Sequence, residues 1–174
     1  MSKTIRSFLP VADENSRVLI LGSMPGRESL EKNEYYANKR NGFWKIVHAI
    51  FDVQPEPSYQ ERVAFLKTRG IAIWDVLEEC EREGSSDNLI ENEKPNDFNA
   101  FFALHPQIIN VFFNGKEASR LFIRHVHLEP NFMSRLVFNG LTSTSPANAR
   151  PIGSKIEEWR AIRTCLETSI PPSH

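Results

Sequence analysis

The chain has 174 residues, of which 40% are hydrophobic and 25% are charged, and its formal net charge is −1. This composition excludes a disordered tail, and no apolar run approaches the roughly 20 residues that a membrane-spanning helix needs. The length corresponds to a single domain, which we place at residues 1–174.

Acidic residues are concentrated in one segment. Residues 75–97 hold nine acidic and two basic side chains, whereas the parts of the chain on either side are mildly basic. One interpretation is a basic face with an acidic back, which would suit a nucleic-acid partner. The other is that the acidic segment forms a solvated helix end and loop.

The sequence gives little support for export or for a metal site. The start, MSKTIRSFLP, has no apolar segment followed by a small-residue cleavage site, so we expect a cytoplasmic protein. Cys80 and Cys165 are too few for a four-thiolate zinc or iron–sulfur site, and we expect them as reduced thiols. His125 and His127 are joined by no Cys or His pair, so we expect no metal.

The first predicted elements are a buried strand and a helix. Residues 16–22 contain four consecutive apolar residues and stop at glycine, which predicts a strand. Ser23-Met-Pro-Gly26 is a turn, and a polar stretch leads to residues 35–42. A helix then begins at Phe43, because the apolar residues Phe43, Ile46, Val47 and Ile50 share one face.

The middle of the chain continues the alternation of helix and strand. Residues 59–68 predict a short helix, and residues 70–75 a second buried strand that ends in an acid. We predict a helix or turn at 76–83 and a loop at 84–88. Asn96 or Asp97 can cap a helix that runs to Leu104, before Pro106.

The last part contains two more strands and a closing helix. Residues 108–113 predict a third strand, and 116–124 a helix. A fourth, weaker strand is predicted at 136–138, followed by a polar loop at 141–149. Residues 152–167 predict the closing helix.

Alternating strands and helices predict an α/β fold with a parallel sheet and helices on both faces. In such sheets, ligands bind beyond the carboxyl ends of the strands. Polar residues follow all four predicted strands: Ser23, Asp75, Asn114 and the run from Ser143 to Asn148. The sequence therefore predicts one site at this edge.

The side chains expected there suit a nucleobase. Carboxamides present a donor beside an acceptor, and aromatic rings such as Tyr35 and Tyr36 stack on a base. Segment 23–26 lacks the spacing of a nucleotide-binding loop and the pattern around a serine nucleophile. The amides and hydroxyls of the predicted site are Asn38, Asn41, Asn114, Asn148, Ser23, Ser143 and Ser145.

Several segments together resemble a known family. Gly22-Ser-Met-Pro-Gly26, followed by Tyr35-Tyr-Ala-Asn38-x-x-Asn41-x-Phe43-Trp44, resembles the first motif region of the uracil-DNA glycosylase superfamily. Ser143-Thr-Ser-Pro-Ala-Asn148 is similar to its second motif. The combination is most similar to the hypoxanthine-DNA (deoxyinosine) glycosylase branch, which Gly70-Ile-Ala-Ile-Trp-Asp-Val-Leu and Phe113-Asn-Gly115 also resemble. The resemblance extends from about Arg17 to Trp159.

The resemblance implies a three-layer α/β/α fold with a central four-stranded parallel sheet. It also implies hydrolysis of the N-glycosidic bond of a deaminated base in DNA, without metal or organic cofactor. The base is hypoxanthine by resemblance to one branch, with uracil or xanthine as alternatives. Ser23 replaces the Asn or Asp that positions the attacking water in several branches, and Ser143 replaces the His of the uracil-specific branch.

We assign the catalytic role of positioning the water to Asn41, with Asn38 and Ser23 as alternatives. An amide can orient a water although it is a poor base. Asn41 can also serve as the N-cap of the following helix. We expect Tyr36 to stack on the extruded base and Tyr35 to face the core, or the reverse.

The remaining site residues follow the motifs. Asp75 accepts a hydrogen bond from the base or orients a loop, and Asn114 reads the base edge or shapes an Asn-Gly turn. Arg150 contacts phosphate, fills the emptied stack or is solvated. We expect Gly22, Met24, Pro25 and Ser143 to line the base pocket. Phe43 is a further candidate for this pocket, although a position in the core is the more typical one for it. We expect Ser145, Pro146, Ala147 and Asn148 to contact DNA.

Two other classes remain open. A nucleic-acid-binding module of the same fold that has lost catalysis would bind DNA without releasing a base. A small-molecule nucleosidase would act on free inosine. Our expectation is a monomeric enzyme whose partner is DNA containing a deaminated base, with no membrane association.

Overall fold

The computed structural model of the protein describes residues 3–168. Its first elements are β1 (Lys3–Arg6), β2 (Val18–Gly22), α1 (Arg27–Lys32), α2 (Phe43–Ala49), α3 (Tyr59–Thr68) and β3 (Ile71–Asp75). The middle contains β4 (Leu77–Arg82), a 3₁₀ turn (Asp87–Leu89), β5 (Glu91–Pro95) and α4 (Phe98–Leu104). The last elements are β6 (Asn110–Asn114), α5 (Lys116–His125), α6 (Pro130–Arg135), β7 (Val137–Leu141) and α7 (Ile152–Thr168).

A four-stranded parallel sheet with the order β3-β2-β6-β7 forms the centre of the fold. The register aligns Gly22 at the end of β2 with Asp75 at the end of β3. On the other side, Asn114 at the end of β6 pairs with Leu141 of β7. The carboxyl ends of all four strands therefore meet at one edge.

Helices cover both faces of this sheet, which explains why β2 and β3 are apolar throughout. On one face, Leu19 and Leu21 belong to a core that includes phenylalanines of α4, α5 and α6. On the other face, Val18 and Ile20 belong to a second core with α2, α3 and α7. The predicted α/β/α fold with a four-stranded parallel sheet is confirmed. The single domain over residues 1–174 stays a prediction.

The prediction of a helix or turn at 76–83 is wrong, because residues 77–82 form strand β4. It lies between β1 and β5 in a second, antiparallel sheet that the sequence analysis did not predict. Glutamates favour a helix in isolation, but here pairing on both sides determines the conformation. The acidic segment 75–97 is therefore not a solvated helix end, and it reaches the parallel sheet's carboxyl edge.

The elements that the sequence analysis missed are short and polar. Strand β5 (ENEKP) has no alternating apolar pattern, and the only buried residue of the six-residue helix α1 is Ser29. Helix α6 also has six residues and buries only Phe132. Patterns of this length carry too little periodicity to be recognised.

His48 is buried in α2 in its neutral form. Its Nδ1 lies 2.6 Å from the Trp44 carbonyl oxygen, and its Nε2 accepts a hydrogen bond from the Glu56 backbone N–H at 3.4 Å. Because Nδ1 donates and Nε2 accepts, the imidazole carries a single proton. Burial lowers the pKa of His48, while the Trp44 carbonyl and the Glu56 carboxylate act in the opposite direction.

We expect the contribution of His48 to stability to be lost as the pH falls below about 6.5, the ordinary pKa of histidine. Because the pKa of His48 is lowered on folding, the unfolded chain binds more protons there, so this contribution to the free energy of unfolding decreases as the pH falls. Urea unfolding of the wild type and of His48→Gln on either side of this pH isolates the effect. The stability of the wild type relative to His48→Gln should decrease at the lower pH, and an equal pH dependence in both proteins would contradict the prediction.

Candidate active site

A cavity of about 1030 Å³ opens at the carboxyl ends of the parallel strands. Its wall is built by the loops that follow β2, β6 and β7, by Asp75 at the end of β3, by residues 85–88 between β4 and β5, and by the segment before α2. The cavity brings together most of the predicted site residues: Gly22, Ser23, Met24, Pro25, Tyr35, Tyr36, Asn38, Asn41, Asp75, Asn114, Ser143, Ser145, Pro146, Ala147 and Asn148. The roles assigned to them stay predictions.

Asp75 lies at the inner wall of this cavity and is only 5% exposed. Its Oδ2 is buried and has no hydrogen-bond partner within residues 3–168. Burial, and to a smaller extent the charge of Asp87, raise the pKa of Asp75 to about 7 against the opposing charge of Arg82. At neutral pH, this carboxyl is therefore protonated in a large fraction of molecules and can both donate and accept a hydrogen bond.

Because Gly22 has no side chain, there is room beside it for the Asp75 carboxyl. A Cβ at position 22 would lie 2.6 Å from Asp75 Oδ1, closer than any real contact allows. We expect Gly22→Ala to displace the carboxyl and to lower the rate of the base release that the sequence motifs imply by roughly 10²-fold, as misplacements of about 1 Å do. Single-turnover kinetics on a DNA duplex measure this effect.

Gly140→Ala is the matched control, because a Cβ at position 140 would meet no atom within 4 Å. This variant should retain the wild-type rate. An unchanged rate in Gly22→Ala would contradict the proposed constraint on Asp75. Thermal unfolding of both variants separates an effect on the site from a loss of folding.

A second carboxyl enters the cavity from the loop between β4 and β5. Asp87 accepts a hydrogen bond from Ser23 Oγ at 2.8 Å. Burial raises the pKa of Asp87, whereas the Ser23 hydrogen bond and Arg82 lower it. Arg82 is itself buried and donates to the carbonyl oxygens of Pro25 and Gly84. The loop is thus fastened to the turn that follows β2.

The two tyrosines have different environments. Tyr35 is in the core, where its hydroxyl donates to the Leu9 carbonyl oxygen at 2.8 Å. The Tyr36 ring stacks on Phe43 with 3.8 Å between centroids, and its φ of 53° is in the left-handed region. Phe43 is completely buried beneath it and does not line the cavity. Of these rings, Tyr36 has the position that suits stacking on a base.

The amides of Asn38 and Asn41 are bound to the backbone. The N-cap of α2 is Gly42 and not Asn41 as considered from the sequence, but Asn41 Oδ1 caps the first N–H of the helix from the preceding position by accepting from Phe43 N–H at 3.0 Å. Asn38 Oδ1 accepts from the Arg40 N–H at 2.9 Å. Both carbonyl oxygens are thus oriented, and the Nδ2 groups are the donors that these residues can offer to a ligand.

Asn114 holds two walls of the cavity together. Its Nδ2 donates to Tyr36 Oη at 3.2 Å and to Thr144 Oγ1 at 3.0 Å, and its Oδ1 accepts from the Thr144 N–H. These bonds use both amide protons. Thr144 is buried and was not singled out from the sequence, although it lies within the motif 143–148.

Residues 145–148 lie at the rim of the cavity, and 146–148 are exposed. Ser143 and Ser145 accept hydrogen bonds from backbone N–H groups two residues ahead, which shapes the loop. Arg150 does not line the cavity; its guanidinium bonds to Thr142, Ser154 and Glu158. For Arg150 to contact a base edge or a phosphate, its ion pair with Glu158 would have to open.

Sequence reasoning missed Asp87 and Arg82. Asp87 lies in Gly84-Ser-Ser-Asp-Asn88, where each residue type is typical of a turn. Arg82 stands among glutamates and has no pattern of its own. The rim also has three exposed basic residues, Arg27, Arg40 and Lys116, which suit a phosphate backbone.

Within residues 3–168, no cluster of His, Cys, Asp or Glu could hold a metal ion. In the same range, no helix is long and apolar enough to cross a membrane. The side chains that line the cavity include carboxyls, carboxamides, hydroxyls, the basic groups of the rim and the stacked aromatic ring of Tyr36. This set can bind the edge and face of a base and move protons.

The fold and cavity are those of a known class of enzymes. The family model of the Uracil DNA glycosylase superfamily matches residues 9–166. The chain therefore belongs to this superfamily, and the predictions of the family and of a DNA glycosylase are confirmed.

Individual relatives agree with this assignment. The chain is 36% identical over 160 residues to the hypoxanthine DNA glycosylase of Methanosarcina acetivorans, covering 90% of this chain and 96% of that protein. It is 35% identical over 158 residues to the hypoxanthine DNA glycosylase of Methanosarcina barkeri, covering 88% and 94%. A solution NMR structure from M. acetivorans, provisionally assigned as a uracil DNA glycosylase, superimposes with a TM-score of 0.81 and 34% identity, covering 95% and 99%.

Proposed function

We propose that the protein removes hypoxanthine from DNA by hydrolysing the N-glycosidic bond of a deoxyinosine extruded from the helix. The observation that carries the proposal is the unpartnered Asp75 carboxyl in the wall of the cavity. Hypoxanthine presents its N1–H donor beside the O6 acceptor. A protonated Asp75 matches both, since its carbonyl oxygen accepts from N1–H while its hydroxyl donates to O6.

The other cavity walls support the same geometry. Tyr36 would stack on one face of the extruded base, because Phe43 fixes its ring from the opposite side. Asn41 would orient the attacking water through its amide. Arg27, Arg40 and Lys116 at the rim, with the loop 143–148, would contact the DNA backbone.

The cost of extrusion favours deaminated bases. Taking a nucleotide out of the stack costs a few kcal/mol, and the cost is least for a mispaired base. Hypoxanthine opposite thymine is such a mispair. Uracil has the same neighbouring N–H and carbonyl groups on its edge, so uracil in a mispair with guanine is the second candidate substrate.

The test is base release from labelled duplexes that carry hypoxanthine, uracil or xanthine opposite each normal base. We expect free hypoxanthine from the duplexes and no cleavage of free inosine. A mobility shift without release would indicate a binding module, and cleavage of inosine would indicate a nucleosidase. Gel filtration tests the monomeric state, which stays a prediction together with the cytoplasmic location.

A further inference from the structure

Hydrolysis requires a group in the cavity that accepts a proton. When water adds to the C1′ atom of the sugar, one of its protons must leave. The carbonyl oxygens of Asn38 and Asn41 accept backbone hydrogen bonds, and an amide is a poor base. The acceptor must therefore be sought among the carboxyl groups.

The two carboxyl groups in the interior of the cavity have different environments. Asp75 has a buried oxygen without a partner, which favours its neutral form. Burial raises the pKa of the half-buried Asp87 as well, but this carboxyl accepts a hydrogen bond from Ser23 Oγ at 2.8 Å and faces the charge of Arg82, and these two contacts favour its ionised form. Pairs of acids whose surroundings separate their protonation states are typical of acid–base assignments.

The other acids of the cavity lining are less suitable. Glu117 forms an ion pair with Arg120, and Glu28 is exposed on the rim. Among the cavity-lining residues in the described part of the chain, Asp87 is the carboxyl that combines partial burial, a hydroxyl partner and a nearby cation.

The direction of the Ser23–Asp87 hydrogen bond is decisive. Ser23 is 9% exposed, and its hydroxyl proton points to Asp87 Oδ1. The lone pairs of Ser23 Oγ are thereby available to accept a proton from a water molecule in the cavity. Further hydrogen bonds connect the loop that carries Asp87 to the turn after β2. Ser85 Oγ accepts from the Arg27 N–H at 2.8 Å, and Arg82 donates to the carbonyl oxygens of Gly84 and Pro25.

We propose that Asp87 is the proton acceptor and positioning residue of the hydrolysis, and that it acts through Ser23 on the attacking water. This inference rests on the proposed glycosylase function. The bond between C1′ and the base breaks with its electron pair passing to the base, and the water oxygen bonds to C1′. The water proton passes to Ser23 Oγ while the serine proton passes to Asp87, and the departing base takes a proton from Asp75.

The Asp87→Asn variant tests this role. Its carbonyl oxygen can still accept from Ser23, so the shape of the loop is kept while the negative charge and the basicity are lost. We expect single-turnover base release to fall by roughly 10²-fold or more, with DNA affinity within about twofold of the wild type. Asp87→Glu should restore part of the rate.

The pH dependence distinguishes a proton acceptor from a structural contact. The wild-type rate should rise with pH as Asp87 ionises and fall above about 7 as Asp75 ionises. In Asp87→Asn, the acidic limb of this profile should disappear. The groups that face Asp87 from the neighbouring elements are Ser23, Tyr36, Asp75, Cys80, Arg82 and Glu117.

Glu28→Gln is the matched control, because it removes the charge of an exposed carboxyl on the rim of the same cavity without changing Ser23 or Asp87. We expect a rate close to that of the wild type. A wild-type rate with an intact acidic limb in Asp87→Asn would overturn the inference, and so would an equal loss in Glu28→Gln. If the wild type releases no base, the proposed function fails as well, so the two failures are distinguishable.

Discussion

Replacement of Asp75 by alanine is expected to lower the rate of hypoxanthine release by 10²- to 10³-fold, roughly the effect of removing one donor that stabilises developing charge. The reason is that the Asp75 carboxyl is buried in the cavity wall with one oxygen unpartnered, ready to donate to the departing base. Single-turnover kinetics at pH 7 measure the effect. Thermal unfolding shows whether the variant is folded.

Asp75→Asn is the informative companion variant. Asparagine keeps a donor and an acceptor in nearly the same shape, but it does not titrate. We expect a rate between those of the wild type and Asp75→Ala, without the decline above pH 7 that ionisation of Asp75 causes. If Asp75→Ala released hypoxanthine at the wild-type rate, the proposed recognition of the base would be wrong.

The Asp75→Asn substitution should also stabilise the protein at neutral pH. The pKa of Asp75 is raised from its ordinary value of 3.8 to about 7, so the Asp75 carboxyl binds more protons in the folded state than in the unfolded chain between these values. The contribution of Asp75 to the free energy of unfolding therefore falls as the pH rises through this window. Each pKa unit corresponds to about 1.4 kcal/mol, so the gain in Asp75→Asn at pH 8 should reach a few kcal/mol. Urea unfolding at several pH values measures it.

Asn41→Ala is expected to lower the rate of base release by about 10²-fold through loss of the amide that orients the water. The side chain has a second task, because its Oδ1 accepts from the Phe43 N–H at the start of α2. Loss of such a cap costs about 1 kcal/mol, so stability has to be measured beside the rate.

Asn41→Ser separates the two tasks. Serine also caps helices, so this variant should keep the stability of the wild type. Because it lacks the amide, its rate should fall nearly as far as that of Asn41→Ala. A wild-type rate in Asn41→Ser would limit Asn41 to capping and would move the orientation of the water to Asn38 or Ser23.

The proposed mechanism divides the chemistry between two carboxyl groups from different parts of the chain. Asp75 ends a buried strand of the parallel sheet, whereas Asp87 comes from the loop between two strands of the small antiparallel sheet. The antiparallel sheet is thus part of the candidate site, because it delivers Asp87 to Ser23. Ser23 has no acidic group of its own, and this arrangement places the carboxylate of Asp87 beside its hydroxyl.

The parallel sheet and its binding edge were predictable because their signals are local and strong. Four apolar residues from Val18 to Leu21, followed by Gly22, predict a buried strand wherever they occur. Since parallel strands end at one edge, the polar residues that follow them had to meet there. The motifs 22–26, 35–44 and 143–148 add the family, which the comparisons confirm.

The antiparallel sheet and the contacts of the acidic loop were decided by the tertiary structure alone. Strand β4 has glutamates that favour a helix in isolation, and it is a strand because β1 and β5 pair with it. The protonation of Asp75 depends on its burial. The hydrogen bond between Ser23 and Asp87 joins residues that are 64 positions apart along the chain. Sequence periodicity reports which face of an element is apolar, whereas desolvation and charge contacts arise only once distant segments pack together.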